Sequence, residues 1–183
     1  KDIMNLQNPF SLARRPFNGK IDLSTVPVSK VQVPLQFSRR SFFPKGGLDI
    51  AKFSSELKNE LVSIGVNSQT IKTTVPGVCE AVKNAYEHGN GGKESKEILF
   101  ATCYDSGLEF LIGDEGGKID ANFVPFVMAF RQGNRENYYG NIPNFYEFSG
   151  KLYTPLGHSG AGTKTINICF PNVNYFRWKK GLL

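Results

Sequence analysis

Three short stretches of this chain gather residue types that can act on a charged ligand. In the first, Glu80-Ala81-Val82-Lys83-Asn84-Ala85-Tyr86-Glu87-His88-Gly89, a carboxylate, a carboxamide and an imidazole recur at helical intervals. On a helix, Glu80, Asn84 and His88 share one face. A carboxylate there can accept the proton of an attacking hydroxyl. A neutral amide oxygen can complete the shell of a Mg²⁺ held mainly by phosphate oxygens and water. The same spacing also describes a plain solvated stripe. The second stretch, Ile112-Gly113-Asp114-Glu115-Gly116-Gly117-Lys118-Ile119-Asp120, ends an apolar strand in an acid among glycines. Such an acid can accept from the amino group of a base while glycine admits a ligand to the backbone. It also makes an ordinary Asp-Gly turn. The third, Gly157-His158-Ser159-Gly160-Ala161-Gly162-Thr163, opens a helix. Exposed backbone N–H groups and a helix N-terminus make a natural seat for phosphate. It is not a P-loop, because no Gly-Lys-Ser/Thr follows. Nor does a strand lead straight into it, as a dinucleotide fingerprint requires.

The elements that must position these stretches are legible from periodicity. Leu48, Phe53, Leu57, Leu61 and Ile64 recur at helical spacing, with Gly65 as a stop. A second helix is expected from Ser68 to His88, interrupted at Pro76-Gly77 and closed by Gly89-Asn90-Gly91-Gly92. Ile98 to Tyr104 is nearly all apolar, the mark of a strand buried on both faces, and Asp105-Ser106-Gly107 turns it into an antiparallel partner at Glu109–Ile112. Val31 to Phe37 alternates apolar and polar residues, which predicts a half-buried strand, and Pro34 sends it to a sheet edge. Residues 118–157 are too long for a plain connection and carry many Phe and Tyr, so part of that segment should pack on something. A short helix over Gly162–Phe170 and a strand over Val173–Trp178 complete the order. The fold class expected is α+β, a two-layer sandwich with helices on one face of a mixed sheet.

Length and composition frame these elements. A chain of 183 residues is one ordinary domain, burying about 70% of its unfolded surface. With 40% hydrophobic and 21% charged residues, neither disorder nor a membrane protein is indicated. No apolar run suffices for a membrane span, and no charged-then-apolar signal peptide opens the sequence. Cys79, Cys103 and Cys169 are odd in number and far apart, which speaks against a disulfide framework or zinc site and for a reducing, cytoplasmic setting. The net charge of +6 lies wholly in residues 1–72, with 11 Lys and Arg against 5 Asp and Glu, whereas residues 73–183 balance at 11 against 11. The surplus therefore belongs to residues 1–72, chiefly the N-terminal arm, residues 1–30, and the Arg39-Arg40 stretch, away from the three stretches. Aromatics near Arg14, Arg15, Arg39 and Arg40 keep nucleic acid as a minor alternative; an acidic protein surface is the main one.

Taken together and in this order, the three stretches resemble the nucleotide-binding boxes of the GHKL family of ATP-binding proteins, which includes gyrase and the histidine kinases. The closest likeness is to its bacterial anti-sigma-factor serine/threonine kinases. There the first box reads Glu-Ala-x-x-Asn-Ala-x-x-His-Gly, and Glu80 to Gly89 fits throughout. Gly160-Ala161-Gly162-Thr163-Lys164-Thr165-Ile166-Asn167 is similar to that branch's third box. The resemblance covers residues 31–183.

The resemblance implies a Bergerat ATP-binding fold with ATP and Mg²⁺ as cofactors. It makes Glu80 the base and Asn84 the Mg²⁺ ligand, with Asp114 reading the adenine amino group beside Gly116 and Ile119. His88 and His158 fall within the nucleotide boxes, and Ser159, Gly160, Ala161, Gly162 and Thr163 line the phosphates. Residues 118–157 become the ATP lid. The implied partners are an STAS-type anti-anti-sigma protein carrying the acceptor hydroxyl and a sigma factor, with a homodimer as the implied assembly. Rival readings are a nucleotide-gated binding module and a histidine-kinase-like catalytic domain, although no phospho-accepting histidine helix is present. Two departures stand out: Lys118 replaces a glycine of the second box, and His158 stands where relatives place an arginine. A neutral imidazole is the weaker phosphate clamp.

Overall fold

The computed structural model describes residues 20–22, 32–132, 144–149, 159–179 and 181–182. Helix α1, Ile50–Ser63, starts where the Asp49 carboxylate accepts the Lys52 N–H and buries Phe53, Leu57 and Leu61 along one stripe. Gly65, in the left-handed region at φ 81°, ends it, and Val66 N–H returns to Leu61 O at 3.0 Å. Helix α2, Ser68–Asn84, is capped by Asn67 and buries Ile71, Val75, Val78 and Val82 against α1. It runs straight through Pro76, against the expected interruption. The proline lies on the exposed side next to exposed Lys72 and Thr73, where a carbonyl left without its N–H partner meets water.

Strands β2 (Ser38–Arg39), β3 (Leu99–Cys103) and β4 (Glu109–Gly113) form an antiparallel sheet in that order, with Phe100 opposite Ile112 and Thr102 opposite Phe110. Alternation along β3 sends Phe100 toward the helices, where its ring meets Phe53 edge-on at 5.2 Å. Leu99 and Ala101 face the other way and are covered by Trp178, with Val33, Phe37 and Phe176 around it. Every residue of β3 is buried, as its apolar run foretold.

The described residues depart from the expected sheet in two places. Residues 32–37 form no strand; Phe37 N–H closes a turn onto Pro34 O at 3.0 Å, and pairing starts only at Ser38. Proline offers no donor to a ladder, and Val33 and Phe37 still pack, partly buried, against the Leu99, Ala101 and Trp178 cluster. Nor is the sheet mixed, since every described pairing is antiparallel. Of Val173–Trp178, only β6 (Arg177–Trp178) is strand, and it pairs with β7 (Gly181–Leu182) in a separate hairpin. The exposed apolar face of β3 and β4 needs a cover, and Trp178 and Phe176 supply it by lying across the sheet rather than extending it.

Strand β1 (Lys20–Asp22) pairs with β5 (Lys118–Asp120), so a short part of the N-terminal arm is tied to the second box. The rest of residues 1–30 lies outside the described residues. Within the expected lid, α3 (Phe123–Gln132) and α4 (Phe145–Phe148) are helical, and Phe126 packs on Phe145 and Phe148 at 5.3 and 5.0 Å. The lid's remaining residues, 133–143 and 150–157, lie outside the described residues. Helix α5 (Gly162–Cys169) lies against α2 at Gly77. A Cβ on Gly77 would sit 2.7 Å from Cys169 Cβ and from the Phe170 ring, so only glycine permits this approach. The molecule is thus α+β, with α1 and α2 on one face of a small sheet.

Candidate functional site

A cavity of about 580 Å³ opens between the end of α2, the segment from β4 to β5, and the start of α5. Of the residues singled out from the sequence, Glu80, Asn84, His88, Asp114, Ile119, Ser159, Gly160, Gly162 and Thr163 line it. Gly116 and Ala161 are not among the lining residues, and His158 lies outside the described residues. Residues from all three stretches therefore surround one space.

Local backbone chemistry explains the convergence. At Ala85–Gly89 the chain leaves α-helix for a single π turn, closed by Asn90 N–H to Ala85 O at 2.8 Å. Such turns insert extra backbone per revolution and often mark functional sites. Glu80 and Asn84 keep the shared face expected of them, for both approach Gly162. His88 lies within the π turn and sits exposed on the same cavity wall as Glu80 and Asn84.

Glycines set the remaining distances. A Cβ on Gly162 would lie 2.8 Å from Glu80 Oε2 and 3.2 Å from both Asn84 amide atoms. The N-terminus of α5 thus rests directly on the acid and the amide. A Cβ on Gly89 would strike the Asp114 side chain, and one on Gly116 would strike the Gly89 carbonyl. Asp114 is buried, and its Oδ1 accepts the Gly116 N–H at 2.7 Å. Gly160, left-handed at φ 69°, takes the Tyr146 ring on its bare face, and its carbonyl accepts the Phe145 N–H at 2.8 Å. Thr163 is buried, and its carbonyl accepts from the Asn167 amide at 2.9 Å, which ties the first turn of α5 to its middle.

Lys20, Lys83 and Tyr175, which were not singled out as site residues, also line the wall, and Phe145 and Tyr146 bring aromatic surface from the segment expected to be the lid. No local signal marks Lys20, since β1 reaches the cavity only by pairing with β5. A polar cluster also backs the second stretch. Lys179 Nζ meets Glu115 Oε1 at 2.8 Å and Glu97 Oε2, while Arg39 Nη2 reaches Glu97 Oε1 at 2.7 Å. Burial pushes the Glu97 carboxyl upward, but hydrogen bonds from Lys179, Ser41 and Arg39 prevail and hold it down to about 2. Glu115 is held low in the same way by Lys179 and the Glu97 N–H, against burial. Lys179 is raised by its bonds to Glu115 and Glu97.

The side chains suit a cation carried in on phosphate oxygens. Among the described residues, no group of three or more His, Cys, Asp or Glu is placed to hold a metal ion alone. Asn84 does present an amide beside Glu80, under the backbone of α5. A hard Mg²⁺ takes few protein ligands when phosphates supply the rest. The bare face of Gly162 lets the start of α5 come down onto the Glu80 carboxylate and the Asn84 amide.

No protein-family model matches the chain, and neither does any curated protein or solved structure. Among the described residues, no helix is long and apolar enough to cross a membrane.

Proposed function

We propose that the chain binds Mg-ATP in this cavity and acts as a protein serine/threonine kinase of the anti-sigma type, on a Bergerat-like arrangement of helices over one sheet face. The observation that carries the reading is the seating of Gly162 on Glu80 and Asn84, which joins the first and third stretches around one space. ATP supplies the phosphoryl group when bound. Asn84 would ligate Mg²⁺, Asp114 would accept from the base amino group, and N–H groups at the start of α5 would hold phosphate. Glu80 would take the proton of the acceptor hydroxyl at its carboxylate, raising the nucleophilicity of that oxygen. The acceptor would be a hydroxyl on an STAS-type protein, and the basic N-terminal half offers an acidic partner, that protein or a sigma factor, a complementary surface.

A second reading, a nucleotide-gated binding module, draws on the contact of Phe145 and Tyr146 with Gly160, because this contact links the aromatic lid helix to the phosphate turn. Thermal unfolding with Mg-ATP and Mg-ADP tests both. A bound nucleotide at about 100 times its Kd adds roughly 2.7 kcal/mol and raises the midpoint by several degrees. An unmoved midpoint at millimolar nucleotide rejects both readings; a raised midpoint without phosphate transfer to any partner leaves the module.

A further inference from the structure

Asp114 and Glu115 are neighbours in the chain, and both leave β4 at the cavity's edge. The chain bends at Glu115, and the two acids go to different sides, the Glu115 carboxylate to Lys179 and the Glu97 N–H. Asp114 lines the cavity and Glu115 does not. The local sequence offers two adjacent acids and leaves open the choice of which one faces inward.

Asn90 makes that choice. It is 1% exposed, at the close of the π turn. Its Oδ1 accepts the Glu115 N–H at 2.8 Å, and its Nδ2 donates to the Glu97 carbonyl at 3.0 Å. One side chain therefore ties the π turn, the residue preceding β3's apolar run, and the second stretch together. The outer half of Glu115 is fixed to match. Its carboxylate accepts from the Glu97 N–H at 2.9 Å and from Lys179 at 2.8 Å, and its carbonyl accepts from Lys96 Nζ at 3.2 Å. Lys179 holds its place at a left-handed φ of 49°, with its ammonium over the Trp178 ring. Only a carboxamide supplies the acceptor and the donor that Asn90 uses at once; aspartate lacks the donor, and serine lacks the reach to span both groups.

We propose that Asn90 is a positioning residue that turns Asp114, rather than Glu115, into the cavity and so sets the recognition of a purine base. The inference rests on the proposed nucleotide site and adds to it the determinant of base selection.

The test compares the full chain with its Asn90→Ala variant against three probes by calorimetry: Mg-ATP, Mg-GTP and Mg-tripolyphosphate. Tripolyphosphate engages the phosphate turn and ignores the base pocket. The expected result is a fall of about tenfold or more in ATP affinity, a narrowed ATP-over-GTP preference, and tripolyphosphate affinity within about twofold of the parent. Asn90→Asp, which keeps the acceptor and loses the donor, should fall between. Equal losses for ATP and tripolyphosphate would mean a general collapse of the fold and overturn the proposal, as would unchanged ATP affinity. Should Asn90→Ala fail to fold, Lys179→Met, on an exposed turn, releases the Glu115 carboxylate and must give the same split in smaller measure. A parent chain that binds none of the three ends the nucleotide reading. The positioning claim then rests on amide exchange: Asn90→Ala must speed exchange at Glu115 and Gly116 while Phe100 and Ala101 stay protected. Unchanged exchange at those two amides refutes it.

Discussion

The backbone of Gly162 rests on the carboxylate of Glu80 so closely that a single added methyl would stand 2.8 Å from Oε2. These residues are far apart in sequence, on different helices, and their contact brings a candidate base under the N-terminus that would hold phosphate. It depends on a second close approach along the same helix pair, where Gly77 lies against Cys169 and Phe170. Two glycines on opposite helices thus set the width of the site.

Gly162→Ala should separate fold from function. The atoms in its way are the ends of flexible side chains, Glu80 and Asn84, so they will swing aside rather than unfold the protein. Gly162 is the first residue of α5, outside the helix interior, so alanine costs the helix nothing there. We expect thermal stability to hold, while Mg-ATP affinity falls by about tenfold or more. Calorimetry alongside thermal unfolding reads both.

Glu80→Gln and Asn84→Ala should fail differently. The first keeps shape and hydrogen bonding but removes the proton acceptor, so nucleotide binding persists while phosphate transfer drops by about 10²–10⁴-fold. The second removes the Mg²⁺ ligand and weakens Mg-ATP binding itself. Transfer that survives Glu80→Gln undiminished would exclude Glu80 as the base.

Gly77→Ala acts on the scaffold. Its new Cβ would meet Cys169 Cβ and the Phe170 ring at 2.7 Å, inside a packed interface. Overpacking of this kind costs about 1–3 kcal/mol. Denaturant unfolding should show that loss, and a variant as stable as its parent would mean that α2 and α5 do not meet as closely as described.

The carboxylate cluster predicts a pH signature. Glu97 is held down to about 2 from an ordinary 4.5, so its contribution is complete above 4.5 and is lost as pH falls toward 2. Glu97→Gln should be less stable at neutral pH by roughly 1.5–3 kcal/mol, the range for hydrogen bonds to charged groups. It should also lack the parent's steep loss between pH 4.5 and 2. Lys179 is raised above 10.5, so the stability it adds is present below that value and is lost as pH climbs past it. Chemical denaturation across pH checks both limbs.

Much of this molecule was legible in sequence because the relevant signals are local. The Phe53, Leu57, Leu61 stripe gave α1, and the solid apolar run gave the buried β3. Asp105-Ser106-Gly107 gave the turn into β4. The strand expected at residues 31–37 became a turn because Pro34 cannot donate to a ladder, although Val33 and Phe37 reached the core nonetheless. Asn90 passed as one residue of a glycine-rich turn, since nothing in a turn's sequence says that its side chain will be buried and asked for both a donor and an acceptor.

What the sequence determined by itself was the residue inventory of the three stretches and the elements that carry them, because caps, periodicity and glycine act within a few residues. The tertiary structure decided how far those stretches lie from one another and which atoms meet. Gly162 against Glu80, Gly116 against Gly89, and Asn90 between Glu97 and Glu115 are contacts across separate elements. Their lengths follow from how α2, α5 and the sheet pack, and no local pattern encodes that packing. One further aspect of the outcome ran against expectation for the same reason. The demand for a cover over Leu99 and Ala101 drew Trp178 onto the face of the sheet instead of into it.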